Sequence, residues 1–332
     1  MPRCRVFVLA MGAVLVGPFV AFPFAAGDAK ADPQSCLAMT PAEVAATIRF
    51  SDEFDGGINE QVWNAMKFHP DRVRFVTAPV RSGSESLRAE VGGGLGLEPA
   101  SDAGPSTERN ELRERDDRRL PMETEIWYGF SFLVPADMPP IDRRLVLAQV
   151  KQRLIPTGYS TASEYDPERN DKPVIAIRLA QSDPAGDLSV NISVEKQPAE
   201  HRVDILSAAV QKSGAGEDRW VDVIWRFKLS PRWDGVPPAD KVPALPGAAK
   251  PPAYKGDGFI EAWLFQSDRF LAHAFYDGPF GYPNRIGCPE FKLGPYRDAG
   301  DRTWTIYFDA VRRGTSFADV APSGISKPVS TP

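Results

Sequence analysis

Beyond residue 50 the chain is dominated by short runs in which apolar and polar side chains alternate, separated by glycine, proline and polar clusters. The runs TERNELRERD, EIWYGFSFLVP and RRLVLAQVKQ, between Thr107 and Gln152, show the alternation most clearly and predict β-strands. Period two places Arg109, Glu111 and Arg113 on one face of the first run, with Asn110 and Leu112 on the other. In the third run Gln149 and Lys151 share a face, while Val146, Ala148 and Val150 supply the apolar one. Further strands are predicted in RFSDEFDGG, VWNAMKF, RVRFVTAPV, SLRAEV, VIAIRLA, LSVNISVE, HRVDILSA, WVDVIWRFKL, FIEAWLFQ, EFKLGPY and TWTIYFDAVRR. Ahead of them, Thr40 as N-cap and Pro41 at the first helical position predict a short helical turn to Ile48. About a dozen strands without a long amphipathic helix among them predict an all-β fold, an antiparallel sandwich of the jelly-roll kind. Its polar sheet face forms a concave groove carrying guanidinium, amide and ammonium groups, which suits a substrate bearing carboxylates. The polar stretch Gly158 to Asp171 and the proline-rich stretch Pro231 to Gly256 read as surface excursions, because the strand pattern resumes on each side. Residues 32–330 are therefore expected to form a single domain.

The amino end adds a destination. Arg3 and Arg5 precede an uncharged apolar run from Val6 to Ala26, and Ala29-Lys30-Ala31 supplies a small-residue cleavage pattern. Residues 1–31 thus read as a secretory signal peptide, with an uncleaved anchor as the alternative, and the mature protein is expected to be secreted or periplasmic, without a membrane span. Cleavage removes Cys4 and leaves Cys36 and Cys288, an even pair that in an exported chain favours a disulfide over two buried thiols. The net charge of −5 over 332 residues argues against a nucleic-acid partner and makes the local arginine cluster the more informative feature.

The pieces FDGGINEQVWN, APVRSGSESLRAEV, RNELRE, IWYGFSFLVP, LAQVKQ, RWVDVIWRFKLSP, DGFIEAWLF, FKLGPYRD and TWTIYFDAVRRG occur in that order over nearly all of the mature chain. Their order resembles the heparin-lyase-like and glucuronan-lyase-like polysaccharide lyases, jelly-roll enzymes related in site plan to the jelly-roll alginate lyases. The resemblance implies β-elimination on a uronic-acid glycan: loss of the proton on C5, and departure of the oxygen on C4. Abstraction beside a carboxylate builds up further negative charge, which donors must neutralise, and the two proton transfers need a base and an acid. In the K-x-G-x-Y strand of these families a tyrosine moves the protons, and here FKLGPYRD supplies Lys292 and Tyr296. By the same resemblance Arg109 contacts the substrate carboxylate, Glu111 orients Arg109, Arg113 extends the subsite, and Gln149 neutralises the carboxylate. The families often carry Gln-x-His where this chain has Gln149-x-Lys151. A lysine neutralises a carboxylate but is a poor base near neutral pH unless desolvated, so a single-tyrosine mechanism with Tyr296 acting twice tolerates the change, whereas a two-residue mechanism needs a histidine from elsewhere.

Three histidines exist, His69, His201 and His273, and each reads first as a surface or packing residue. His201 is the reserve base, and Asn191, on a polar face with Ser193, is expected to join the groove. Trp127, Trp225, Trp263 and Trp304 read mainly as core, with Trp263 and Tyr165 as candidates for stacking on sugar rings. The chemistry requires no cofactor and no catalytic metal, although Asp52, Asp55 and Asp309 offer hard oxygens for a structural calcium. The expected partner is an acidic polysaccharide, met by a monomer. A non-catalytic glycan-binding jelly roll is the second reading, made plausible by Lys151. A glycoside hydrolase is the third, and would need two carboxylates facing each other across the cleft.

Overall fold

The computed structural model describes residues 36, 39–64, 69–93, 107–152, 173–181, 187–196, 201–231, 255–281 and 288–329. The predicted signal peptide, the excursion at 158–171 with Tyr165, and residues 232–254 of the proline-rich excursion lie outside them. The short helix occurs as expected, over Pro41–Thr47, closed by a reciprocal capping box between Thr40 and Glu43.

Sixteen strands follow among the described residues. They are β1 (Phe50–Asp52), β2 (Trp63–Asn64), β3 (Val73–Val76), β4 (Ser86–Val91), β5 (Thr107–Arg109), β6 (Leu112–Glu114), β7 (Glu125–Leu133) and β8 (Leu145–Gln152), then β9 (Ile175–Gln181), β10 (Leu188–Lys196), β11 (His201–Val210), β12 (Val221–Lys228), β13 (Phe259–Gln266), β14 (Arg269–Asp277), β15 (Pro289–Asp298) and β16 (Trp304–Gly314). They form two antiparallel sheets packed as a jelly-roll sandwich. The first runs β14-β13-β12-β7-β16-β4-β3 with β1 beside β16, and the second β11-β10-β9-β8-β15-β6-β2 with β5 beside β15. Runs of consecutive strands, β8 to β11 in one sheet and β12 to β14 in the other, lie side by side, while the late strands β15 and β16 each enter the middle of a sheet.

The core lies between the sheets. Phe130, Phe132, Trp225, Phe227 and Phe308 of the first meet Leu145, Val150, Ile177, Val190, Phe291 and Leu293 of the second. The contact is aromatic at its centre, with Tyr128 and Phe291 rings 4.6 Å apart and Trp225 and Phe291 5.6 Å apart. β7 is buried on both faces because the short helix Phe317–Val320 covers its outer side. Gly129 makes this possible, since a Cβ there would lie 2.2 Å from the Val320 carbonyl oxygen.

Two sequence expectations change. Trp263 is buried beneath that helix, stacked on Trp127 at 5.6 Å and edge-on to Phe317 at 5.5 Å, so its ring is closed to a sugar. β14, RFLAHAFYD, was absent from the expected strands. It is a solvent-facing edge strand reached through a tight hairpin in which Ser267 and Asp268 both take positive φ, a turn without the usual Asn-Gly signal.

The predicted disulfide is present, with Cys36 and Cys288 Cα atoms 6.5 Å apart. It fastens the start of the domain to the residue preceding β15. On the same side, buried Arg313 pairs with Glu114 and donates to the carbonyls of Ile48 at 2.9 Å and Thr47 at 2.6 Å, holding the amino-terminal helix to the sandwich. Tyr128 donates to the other Glu114 oxygen at 3.1 Å.

Candidate active site

β15 lies between β8 on one side and β5 and β6 on the other, so the runs RNELRE, LAQVKQ and FKLGPYRD become adjacent strands of one sheet. Alternation in β5 and β6 is as predicted: Leu112 enters the core, and Asn110 turns aside to accept from the His69 backbone N–H at 3.1 Å. Arg109, Glu111 and Arg113 take the opposite face. Lys292 stands between Arg113 and Gln149 in register, and Glu290 is the partner of Lys151.

Alternation in β8 is interrupted. The ladder with β15 slips between Leu293 and Tyr296, and that with β9 slips between Val146 and Ala148. Leu145, Leu147, Ala148 and Val150 belong to the core, whereas Val146, predicted on the apolar face, stands across from Tyr296 on the polar one. β-Bulges re-aim side chains in this way beside functional sites. Gly294 meets a second demand of this region. Its φ is +128°, and a Cβ would lie 2.2 Å from the Asn110 carbonyl oxygen, so the K-x-G-x-Y glycine lets β15 close against the Asn110-Glu111 backbone.

The result is two rows crossing the sheet. One carries Arg109, Tyr296, Val146, Arg178, Asn191 and Ser207, and the other Arg113, Lys292, Gln149, Ala176, Ser193 and Asp204. In the first, the Arg109 guanidinium lies 4.6 Å from the Tyr296 ring centroid. Arg144, at the head of β8, lies 4.9 Å from the same centroid and donates to the Tyr296 hydroxyl at 3.1 Å. Asp298 fixes Arg144 at 2.5 Å. In the second, Gln149 donates from its amide to Glu111, whose other oxygen is 3.7 Å from Arg109. Glu111 therefore links the two rows.

Behind the second row, fully buried Glu290 gathers Arg119 at 2.6 Å, Arg113 at 3.5 Å and Lys292 at 3.6 Å. A carboxylate this deep persists only with such pairing. It fixes Arg113 and Lys292 as much as it neutralises them. Arg109, Glu111, Gln149 and Lys151 are likewise largely buried, although they face away from the core.

The structure thus brings together Arg109, Glu111, Arg113, Gln149, Lys151, Lys292 and Tyr296, with Asn191 further along the Tyr296 row. His201 pairs with Lys196 at the far end of β10, five residues along the strand from Asn191. His273 belongs to the other sheet, where it meets Glu261 at 2.9 Å and stacks on Trp263. Asp52, Asp55 and Asp309 do not converge: each is engaged separately by nearby backbone N–H groups, and the described residues contain no metal-holding cluster.

Arg144 and Arg178 were missed by sequence reasoning. Arg144 sits in a quoted run, but the bulge hides its phase. Arg178 is the lone charge in VIAIRLA, a legible signal on a central strand. Both line a pocket of about 480 Å³ with Arg143, Gln181, Asn191 and Asp204. Burial, reinforced by Arg202, pushes the Arg178 guanidinium down to about 10.

The sequence model of a polysaccharide lyase family matches residues 53–312. No curated protein sequence matches the chain. Among solved structures, the chain is similar to a GH131 β-glucanase catalytic domain from Podospora anserina, at 12% identity over 86% of this chain and 95% of that one, with a TM-score of 0.46. It is also similar to the alginate lyase vAL-1 from Chlorella virus, at 10% identity over 74% and 89% of the two chains with a TM-score of 0.41. An alginate lyase from Klebsiella pneumoniae matches at 11% identity over 74% and 85%, with a TM-score of 0.42.

Proposed function

This chain belongs to the polysaccharide lyase family, and from that premise we propose that it cleaves a uronic-acid glycan by β-elimination, in the manner of the heparin-lyase-like and glucuronan-lyase-like group. The observation that carries the reading is Tyr296 with two arginines against its ring, one of them donating to its hydroxyl oxygen. A fixed cation at that oxygen stabilises negative charge there when the proton leaves.

In this mechanism the uronate carboxylate lies against Arg109, Gln149 and Lys151, which offset the charge that builds up as the C5–H bond breaks. Glu111 keeps Arg109 and the Gln149 amide in place. Tyr296, acting as the phenolate, takes the C5 proton and becomes the phenol, the C5 electron pair forms the C4=C5 double bond, and the C4–O bond breaks. Tyr296 returns the proton to the departing oxygen. One group performing both transfers needs the proton and the leaving oxygen on the same side of the ring. The cysteine bridge and the amino-terminal apolar run support an exported protein. Among the described residues no helix is long and apolar enough to cross a membrane.

The test is ultraviolet absorbance of the unsaturated uronate while the purified protein meets glucuronan, alginate and heparin. A rise on one of them, reduced about a thousandfold in Tyr296→Phe while glycan affinity is kept, is the expected outcome. Glycan binding without product on every substrate would make the chain a binding protein instead.

A further inference from the structure

Arg178 is not explained by the chemistry at Tyr296. It is half-buried on β9, two strands from Tyr296 in the same row, which corresponds to about 10 Å across the sheet. Every neighbouring cation has an acidic partner: Arg143 pairs with Asp142 at 3.0 Å, Arg144 with Asp298 at 2.5 Å, and Arg202 lies 3.9 Å from Glu195. Among the described residues no acceptor pairs with Arg178, and its Nε is buried without a hydrogen bond. Asp204, on the pocket wall, acts on it only through space, against the opposing fields of Arg202 and Arg144.

A half-buried guanidinium with no counter-ion loses hydration and gains nothing in return. It lowers the pocket's cost only when an anion arrives, and the pocket it lines opens directly beside Arg144 and so continues from Tyr296. Asn191, its register partner, adds a neutral amide at the same depth. A single uronate cannot occupy both places, because its carboxylate is already engaged at Arg109, Gln149 and Lys151.

We propose that Arg178 determines specificity by holding the carboxylate of the sugar next to the one cleaved, so that the preferred substrate carries negative charge on consecutive sugars. This rests on the uronan-lyase reading for the identity of the ligand, but not for the site. A glycan alternating uronate with a neutral sugar places no charge at Arg178 and gains nothing from it.

Calorimetric titration of oligoglucuronate and oligomannuronate, with unsulfated hyaluronan oligomers of equal length as the alternating control, tests this. Arg178→Gln is expected to weaken the tighter-binding homouronan about tenfold, the loss of one charge-assisted contact, and to leave hyaluronan oligomers unaffected. Arg178→Lys should fall between, and the melting temperature of Arg178→Gln should hold or rise, because no ion pair is lost. Equal weakening on both glycan types, no weakening on either, or failure of the wild type to bind any homouronan would overturn the proposal. Arg178-dependent binding without unsaturated product would sink the lyase reading and leave this one standing. Undiminished binding by Arg178→Gln with normal elimination would do the reverse.

Discussion

The outer faces of the two sheets both bury charge, and they treat it in opposite ways. On the first sheet Asp222, Ser131 and Asp309 form a row across β12, β7 and β16, and Arg81 from the preceding loop closes over it. Arg81 holds Asp222 through two bonds of 3.0 and 3.1 Å and reaches Asp268 at 2.5 Å, while Ser131 donates to Asp222 at 2.6 Å. Asp309 accepts from the backbone of Arg81, Ser82 and Ala310. Each strong charge there has been closed by the chain itself. On the second sheet one cation is left over: among the described residues no acid pairs with Arg178, whose Nε is buried without a hydrogen bond. Burial of charge therefore marks neither face as functional. The unpaired Arg178 is what distinguishes the second.

Three measurements test this contrast. The largest effect is expected from Arg81→Ala, which strands the buried Asp222 carboxylate. Thermal or denaturant unfolding should show a loss of about 3–5 kcal/mol, with turnover of the folded fraction unchanged. A loss near zero would mean that Arg81 does not close the first face. Arg144→Ala should do the opposite, lowering elimination about a hundredfold through loss of one donor to the Tyr296 oxygen, at little cost in melting temperature.

The smallest effect concerns pH. Burial pushes the Asp309 carboxyl up to about 7, against three backbone donors that pull it down. The folded state then binds a proton that the unfolded state has released between about pH 4 and 7, so stability falls as pH rises through that window and is level above it. Asp309→Asn should flatten this slope by on the order of 1 kcal/mol per pH unit, read from melting temperatures across the range. An identical slope in both proteins would show that the three N–H donors dominate.

Much of this contrast was legible in the sequence, and the failures have physical causes. Arg109, Glu111 and Arg113 were placed by alternation alone, because β5 and β6 keep step with β15. Val146 was misplaced and Arg144 overlooked, because period two cannot report a bulge. Trp263 looked available because its strand alternates, but the helix Phe317–Val320, too short to stand out from the sequence, seals that face. β14 was missed because an edge strand need bury nothing, so its pattern carries little signal. Arg178 stood in plain view as one charge among aliphatics. What the sequence lacked was its neighbourhood, set by strands β8 and β10 on either side.

The position of β15 in its sheet also has a consequence in time. It is the fifteenth strand made, yet it divides β8 from β5 and β6, just as β16 divides β7 from β4 in the other sheet. Until residues 289–314 arrive, each sheet exists only as two halves with unpaired inner edges, and Arg109 and Gln149 have no common neighbour. Pairings between such distant segments are slow to form. The groups gathered around Tyr296 are thus brought together by one of the last strands of the sandwich to be made, and a growing chain holds both halves of the groove before it holds the strand that joins them.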